Sequence, residues 1–405
     1  MNKPKTSRLY FLDNLKVFLT ILVILHHVGQ AYGPGGFWQY KSSLGEQVSW
    51  MASFFTVNAA FFMGLFFMIS GYFLKGSYDR NSSLKYLSSK ILRYGIPVIF
   101  ALVVLQPLLM FFHYNNYSGN APLGFWQYFK TIYWGIGGIP EEFISSIGFP
   151  ELNFGHLWFV EHLLIYSLIY FAIRNIFKSK KTIDIDKNFR FIYIIIIAAI
   201  ISALTAIIRI WFPIDYWFGL LGFIQIEPAH FPQYSTMFIA GIIAYKNNWF
   251  STINNTQGYA SLSIGLAMAL LIYLRPVLPD TFINAVYSIW VVFESFMAVF
   301  LCFGLIVLFR EKFTSTNSLL KSLSSTAYLA YILHYPIVIL VQYLLDKVVI
   351  VNPTGKFITV SILSVVLTFT ISYLIRKIKF LQKIVWQKTK HERGIQNTPS
   401  LFLSH

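Results

Sequence analysis

The residues able to do chemistry in this chain are the ionisable ones set inside apolar runs. A charge in hydrocarbon is costly, so such groups face a bundle interior or a cavity far more often than lipid. The first apolar run, 11–32, carries Asp13, Lys16, His26 and His27. Lys16 and His27 are 11 residues apart. On a helix that spacing leaves them about 20° apart in azimuth and about 16 Å apart along the axis, with Asp13 on the same face. One stripe therefore carries an acid and a cation near one end and an imidazole deep in the membrane. Imidazole titrates near neutrality and serves as a general base or a transient acyl acceptor. The structural alternative is that Lys16 snorkels to the interface while His27 bonds a neighbouring helix. His26 points about 100° away and is expected to pack or bond locally.

Further buried candidates are Glu161 and His162 early in the fourth apolar run, Arg209 near the outer end of the fifth and Glu294 in the eighth. Arg209 with either acid also makes a structural ion pair. His113, His156 and His230 fall at span ends, where polar aromatic rings are comfortable. Their spacing does not match a zinc site, and no metal is expected. No phosphate loop, dinucleotide fingerprint, HExxH or GxSxG elbow is present. The single cysteine, Cys302, lies in an apolar run and allows no disulfide or thiolate cluster.

The elements that must position these groups are transmembrane helices. Hydrophobic residues are 56% of the 405 positions and charged residues 12%, against roughly a quarter charged in soluble domains. A single soluble core could not hide so much apolar surface. The sequence predicts an all-α polytopic bundle of about ten spans, at 11–32, 54–74, 95–113, 156–177, 191–212, 233–246, 258–275, 284–309, 326–345 and 357–375. The net charge of +16 follows membrane orientation and does not point to nucleic acid. With a cytoplasmic N-terminus, 26 of the 32 Lys and Arg residues fall inside, and only Lys41, Lys130, Arg209, Arg275, Lys347 and Lys356 fall outside. Both termini are then cytoplasmic, and the first run is not a cleavable signal. The segment 82–94 reads as an amphipathic surface helix ended by Pro97. A long outer connection, about 113–155, is rich in Gly, Pro and aromatics, and a second, 213–232, holds Asp215 and Glu227. Residues 1–380 form the membrane domain and 381–405 a basic cytoplasmic tail.

The stretch YFLDNLKVFLTILVILHH (Tyr10 to His27) resembles the first span of the acyltransferase-3 family of membrane acyltransferases. FFMISGYF (66–73), KILRYGIP (90–97), HLWFV (156–160) and AYLAYILHYPIV (327–338) follow in the family's order, so the resemblance covers nearly the whole chain. Within the family it is most similar to the branch that succinylates periplasmic glucans. The resemblance implies transfer of an acetyl or succinyl group from cytoplasmic acyl-CoA to a hydroxyl of an extracytoplasmic glycan, at the inner membrane. It casts acyl-CoA as donor substrate, with no bound cofactor. It places His27 as the essential histidine; Asp13, on the same stripe by helical spacing, would hold Lys16, and the three make up the expected catalytic set. Lys16 stands for the family's arginine, and Lys90 with Arg93 for its RxxR pair. Ser70 and Tyr72 match its SGY block, and His334 with Pro336 its late His-x-Pro block. Both lysines keep the charge and lose the bidentate fork for phosphate. On this reading Lys16, Lys90, Arg93, Ser70 and Tyr72 hold the donor. His156, Trp158, Glu161, Arg209 and His334 meet the acceptor; Trp126, Tyr128, Tyr133 and Trp134 either stack on sugar rings or anchor the span ends at the membrane interface. Some family members carry an extracytoplasmic esterase-like domain. None is expected here, so the acceptor arrives directly or through a glycan-synthesis partner. The competing function is a proton-coupled exporter of a glycan or organic acid, using Glu161, Arg209 and Glu294. A third is a catalytically silent relative assisting a glycan polymerase.

Overall fold

The structure is a computed structural model that describes residues 8–34, 38–42, 48–136, 154–177, 189–221, 224–346, 348 and 352–378. Among these, ten long helices carry the fold: α1 Tyr10–Gly29, α2 Trp50–Arg80, α3 Ser83–Tyr117, α4 Gly155–Ile176, α5 Ile192–Ile208, α6 Phe231–Asn247, α7 Asn255–Tyr273, α8 Trp290–Lys312, α9 Ser318–Leu345 and α10 Pro353–Arg376. Eight are long and apolar enough to cross a membrane, while α5 and α6 have 17 residues each. The chain is therefore a polytopic helical membrane protein, as its apolar runs predict. The expected tail, 381–405, and residues 137–153 of the long outer connection lie outside the described residues.

Local chemistry sets several helix starts. Asn254, Asn317 and Asn352 each accept a backbone N–H of the first turn of α7, α9 and α10. The eighth predicted span divides in two. A short helix, Asp280–Ser288, precedes α8, with a break at Ile289.

One expectation fails. Pro97 does not end the 82–94 helix, which runs on as α3 through both Pro97 and Pro107. A π turn, Ile91–Gly95, precedes Pro97, and another, Ala101–Leu105, precedes Pro107. Proline lacks an N–H and presses on the carbonyl four residues back. A wider turn ahead of it relieves both faults without breaking the helix. The surface segment and the third span are thus one element.

The bundle centres on α1, which packs on α2, α8, α9 and α10. The most extensive crossing joins α2 and α6. There Gly71 sits against the Phe238 carbonyl, and Gly241 sits against the Met68 carbonyl. A Cβ on either would overlap backbone, so the glycine of the SGY block is a close-approach residue of this crossing. Between α5 and α6 the chain makes an antiparallel hairpin, Phe218–Leu220 with Ile224–Ile226.

Candidate active site

Three histidines from distant parts of the sequence meet beside α1. His27 comes from its last turns and His334 from the middle of α9. His156 comes from a 3-10 turn at the head of α4. That turn is launched by Gly155 at φ +53, a left-handed backbone that favours glycine. The His27 and His334 ring centroids are 5.1 Å apart, and those of His334 and His156 are 4.9 Å apart. Tyr335 ties the group together, stacked on His156 at 4.7 Å and edge-on to His27 at 5.1 Å. His334 is completely buried and His156 nearly so. His27 is half-buried as a residue, with its Nδ1 fully buried.

Pro336 explains how His156 is held. A helical residue 336 with an N–H would donate to the Ile332 carbonyl, four residues back; proline cannot. That carbonyl instead meets His156 Nε2 at 2.9 Å. The Tyr331 hydroxyl bonds the His156 carbonyl at 2.6 Å, closing a second link between α9 and the head of α4. His334 Nδ1 lies 2.7 Å from the Tyr331 carbonyl. The late His-x-Pro block is thus a structural unit: its proline frees the acceptor that orients a histidine 176 positions away.

A strap at 38–42 covers the cluster. Trp38 stacks on His27 at 5.6 Å, and its Nε1 donates to Gln342 Oε1 at 2.7 Å. Gln342 in turn donates to the Val28 carbonyl. The Tyr335 hydroxyl donates to Gln39 Oε1 at 2.8 Å. None of Trp38, Gln39, Tyr335 or Gln342 stands out in the sequence reading. Gln342 offers the one signal, a fully buried amide in an apolar helix that must find partners.

At the other end of α1, Asp13 lies 2.8 Å from Lys16 and 2.6 Å from Arg8. The acid thus holds two cations, of which the sequence reading found one. The Lys16 ammonium sits 4.9 Å over the Phe73 ring, which meets Tyr72 edge-on at 5.6 Å. Ser70 shares a face of α2 with Phe66 and Phe73 by helical spacing. Phe66 contacts Tyr331, and Ser70 is more accessible than the adjacent Ile69 and Gly71. This face therefore runs from the Lys16 level to the α9 tyrosines below the histidines. Tyr72 itself is stacked on Phe250 at 4.6 Å, so packing accounts for most of its surface. Lys90 is buried between the Tyr86 and Tyr94 rings at 5.3 and 5.5 Å. Arg93 lies 5.3 Å over Tyr328, whose hydroxyl donates to the Arg93 carbonyl. Tyr328, Tyr331 and Tyr335 mark one stripe of α9, about 10 Å long, from Arg93 to the histidine cluster.

The remaining predicted residues gather elsewhere. Arg209 pairs with Glu294 at 2.6 Å. Glu294 also faces His230 Nε2 at 3.4 Å, and Glu227 faces His230 Nδ1 at 2.8 Å. Glu227 accepts the Asp215 backbone N–H. Glu161 accepts the Gln225 N–H and His162 meets the Gln225 carbonyl, so both anchor the hairpin. Trp158 sits among Trp217, Tyr234 and His162. The side chains of Glu161 and Trp158 therefore pack on or beside the hairpin although they share α4 with His156, and Arg209 joins the Glu294–His230 pair. In the loop ahead of α6, burial works against a charged His230, but Glu227 and Glu294 hold its pKa up at about 10. Burial and the Glu227 charge push the Asp215 carboxyl up. Among the described residues no group of three His, Cys, Asp or Glu side chains converges as a metal site requires.

Comparison with known proteins bears on this arrangement. A family described as an acyltransferase domain matches residues 9–377. Among curated proteins, the chain is 27% identical over 286 residues to a glucans biosynthesis protein C of Escherichia coli O17:K52:H18, spanning 68% of this chain and 67% of that one. It is 28% identical over 257 residues to the protein of the same name from Escherichia coli K12, spanning 60% of each. No solved structure matches.

Proposed function

This chain belongs to the acyltransferase-3 family and is a membrane acyltransferase, and we propose that it moves an acetyl or succinyl group from cytoplasmic acyl-CoA to a hydroxyl of an extracytoplasmic glycan, in the inner membrane with both termini cytoplasmic. The observation that carries this reading is the His27 imidazole set in a three-histidine cluster, with cations at the far end of its own helix. Lys16, Lys90 and Arg93 supply positive charge for the phosphates of the donor. The extended pantetheine arm is comparable with the distance of about 16 Å from Lys16 to His27 along α1. Asp13 keeps Lys16 and Arg8 together at that mouth. His27 then takes the proton of the acceptor hydroxyl, or carries the acyl group briefly. The glycan as acceptor is favoured by the relatives' printed name, glucans biosynthesis protein C, and by the aromatic outer segments.

The test is His27→Ala, made in the full chain, with acyl esters on the cell-envelope glycan followed by mass spectrometry. Loss of the esters at normal membrane levels of the protein is expected. Unchanged ester content would refute the reading. The exporter reading draws less support, because Arg209 and Glu294 already neutralise each other and Glu161 holds the hairpin backbone.

A further inference from the structure

The three histidines differ in what their nitrogens can do. A carbonyl oxygen only accepts, so a ring nitrogen facing one must carry the proton. His156 Nε2 faces the Ile332 carbonyl, and His334 Nδ1 faces the Tyr331 carbonyl. Both protons are thereby assigned. In the neutral rings the opposite nitrogens, His156 Nδ1 and His334 Nε2, hold bare lone pairs. Among the described residues both are buried without a hydrogen-bond partner, as is His27 Nδ1. Leaving a buried polar atom unpaired costs about 1–3 kcal/mol, so each of these nitrogens calls for a partner.

We propose that His334 is the positioning partner of His27, its Nε2 lone pair receiving the N–H of the His27 imidazolium that forms during acyl transfer. The inference rests on the acyl-transfer reading above. The acceptor hydroxyl oxygen bonds to the thioester carbonyl carbon, and the carbon–sulfur bond breaks. The hydroxyl proton passes to His27 and from there to the departing sulfur. An ester and a free thiol result, and both imidazoles end as they began. A hydrolase triad gives this supporting role to a carboxylate. Among the described residues, the titratable groups facing His334 are His27 from α1, His156 from the head of α4, and the Tyr331 and Tyr335 phenols of its own helix, with no carboxylate touching it. A neutral lone pair supports the imidazolium only while it lasts, so the proton does not rest on His27. At 5.1 Å between centroids the rings are already close enough for this bond and need only turn into line, as catalytic hydrogen bonds commonly align in the loaded complex. His156, one ring further on, holds His334 from the far side through the carbonyl that Pro336 frees.

The test compares His334→Asn, whose side-chain carbonyl keeps an acceptor, with His334→Leu, which keeps volume and no acceptor. Purified protein in proteoliposomes that enclose a glucan as acceptor is given acetyl-CoA or succinyl-CoA, and thiol release is followed against pH. His334→Leu should lower kcat about 10²-fold, the lower range for a group aiding proton transfer. KM for acyl-CoA should hold within about twofold, the removed interaction being made only in the transition state. The pH profile should change shape, and His334→Asn should recover at least tenfold. If Leu does not fold, Ala replaces it in the same comparison. Asn no better than the apolar variant, or kcat and KM falling together with an unaltered pH profile, overturns the proposal. No thiol release by the wild type with either donor would instead refute the acyl-transfer reading.

Discussion

Replacing Pro336 with Ala should make the protein more stable and less active. The substitution restores an N–H that donates to the Ile332 carbonyl, the oxygen now meeting His156 Nε2 at 2.9 Å. Proline inside a helix costs about 3 kcal/mol relative to alanine, and α9 has already adapted to it, so the gain in stability is up to about that figure. The His156 bond has a net worth of about 1 kcal/mol, and turning the carbonyl back into line weakens it and loosens the ring beside His334. A loss of about 1–2 kcal/mol of transition-state alignment corresponds to turnover about 5- to 30-fold slower. The assay pairs a thermal melt in mild detergent with thiol release from acyl-CoA in proteoliposomes. A higher melting temperature with slower turnover is expected. Wild-type turnover in a stabilised variant would show that His156 orientation does not matter, and the account of the His-x-Pro block would be wrong.

Trp38→Ala removes a ring stacked on His27 and strands Gln342 Oε1. It should cost about 3–5 kcal/mol of stability and open His27 to water, so acyl-CoA hydrolysis without any glycan should rise; unchanged hydrolysis in a destabilised protein would show the strap to be packing alone. The buried His230 titrates with a pKa raised from its ordinary value to about 10 by Glu227 and Glu294 against burial. A raised folded pKa means the stabilisation is complete below about 6.5, the unfolded value, and lost as pH climbs through about 10. Melting temperature should therefore fall over that window, and His230→Gln should flatten the fall.

How far the molecule can be read from its sequence depends on the kind of interaction. The spans were legible because apolar length is a property of one segment, and the ten runs recur as ten helices among the described residues. The Asp13–Lys16 pair was legible for the same reason, being three residues apart on one helix. Pro97 misled because a proline's effect depends on the turn before it, and a π turn is not written in composition. The histidine cluster needed two things the sequence separates widely, a carbonyl freed on α9 and a ring at the head of α4. Trp38 and Gln39 lie in a short loop with no periodicity to give them a direction, so their place over His27 appears only in three dimensions. Arg209 was seen as an ion-pair partner, but which acid it takes, Glu294 and not Glu161, is decided by the packing of α5 on α8.

The central claim is that a donor taken at the Lys16 end is used at the His27 end, across the membrane. Sealed proteoliposomes with the protein in one orientation, loaded with a glucan and given radiolabelled succinyl-CoA or acetyl-CoA outside, test it directly. Label should become esterified to the enclosed glucan when the Lys16 mouth faces outward, and should not when His27 is Ala or the orientation is reversed. Esters formed only when donor and glucan share one side would contradict it.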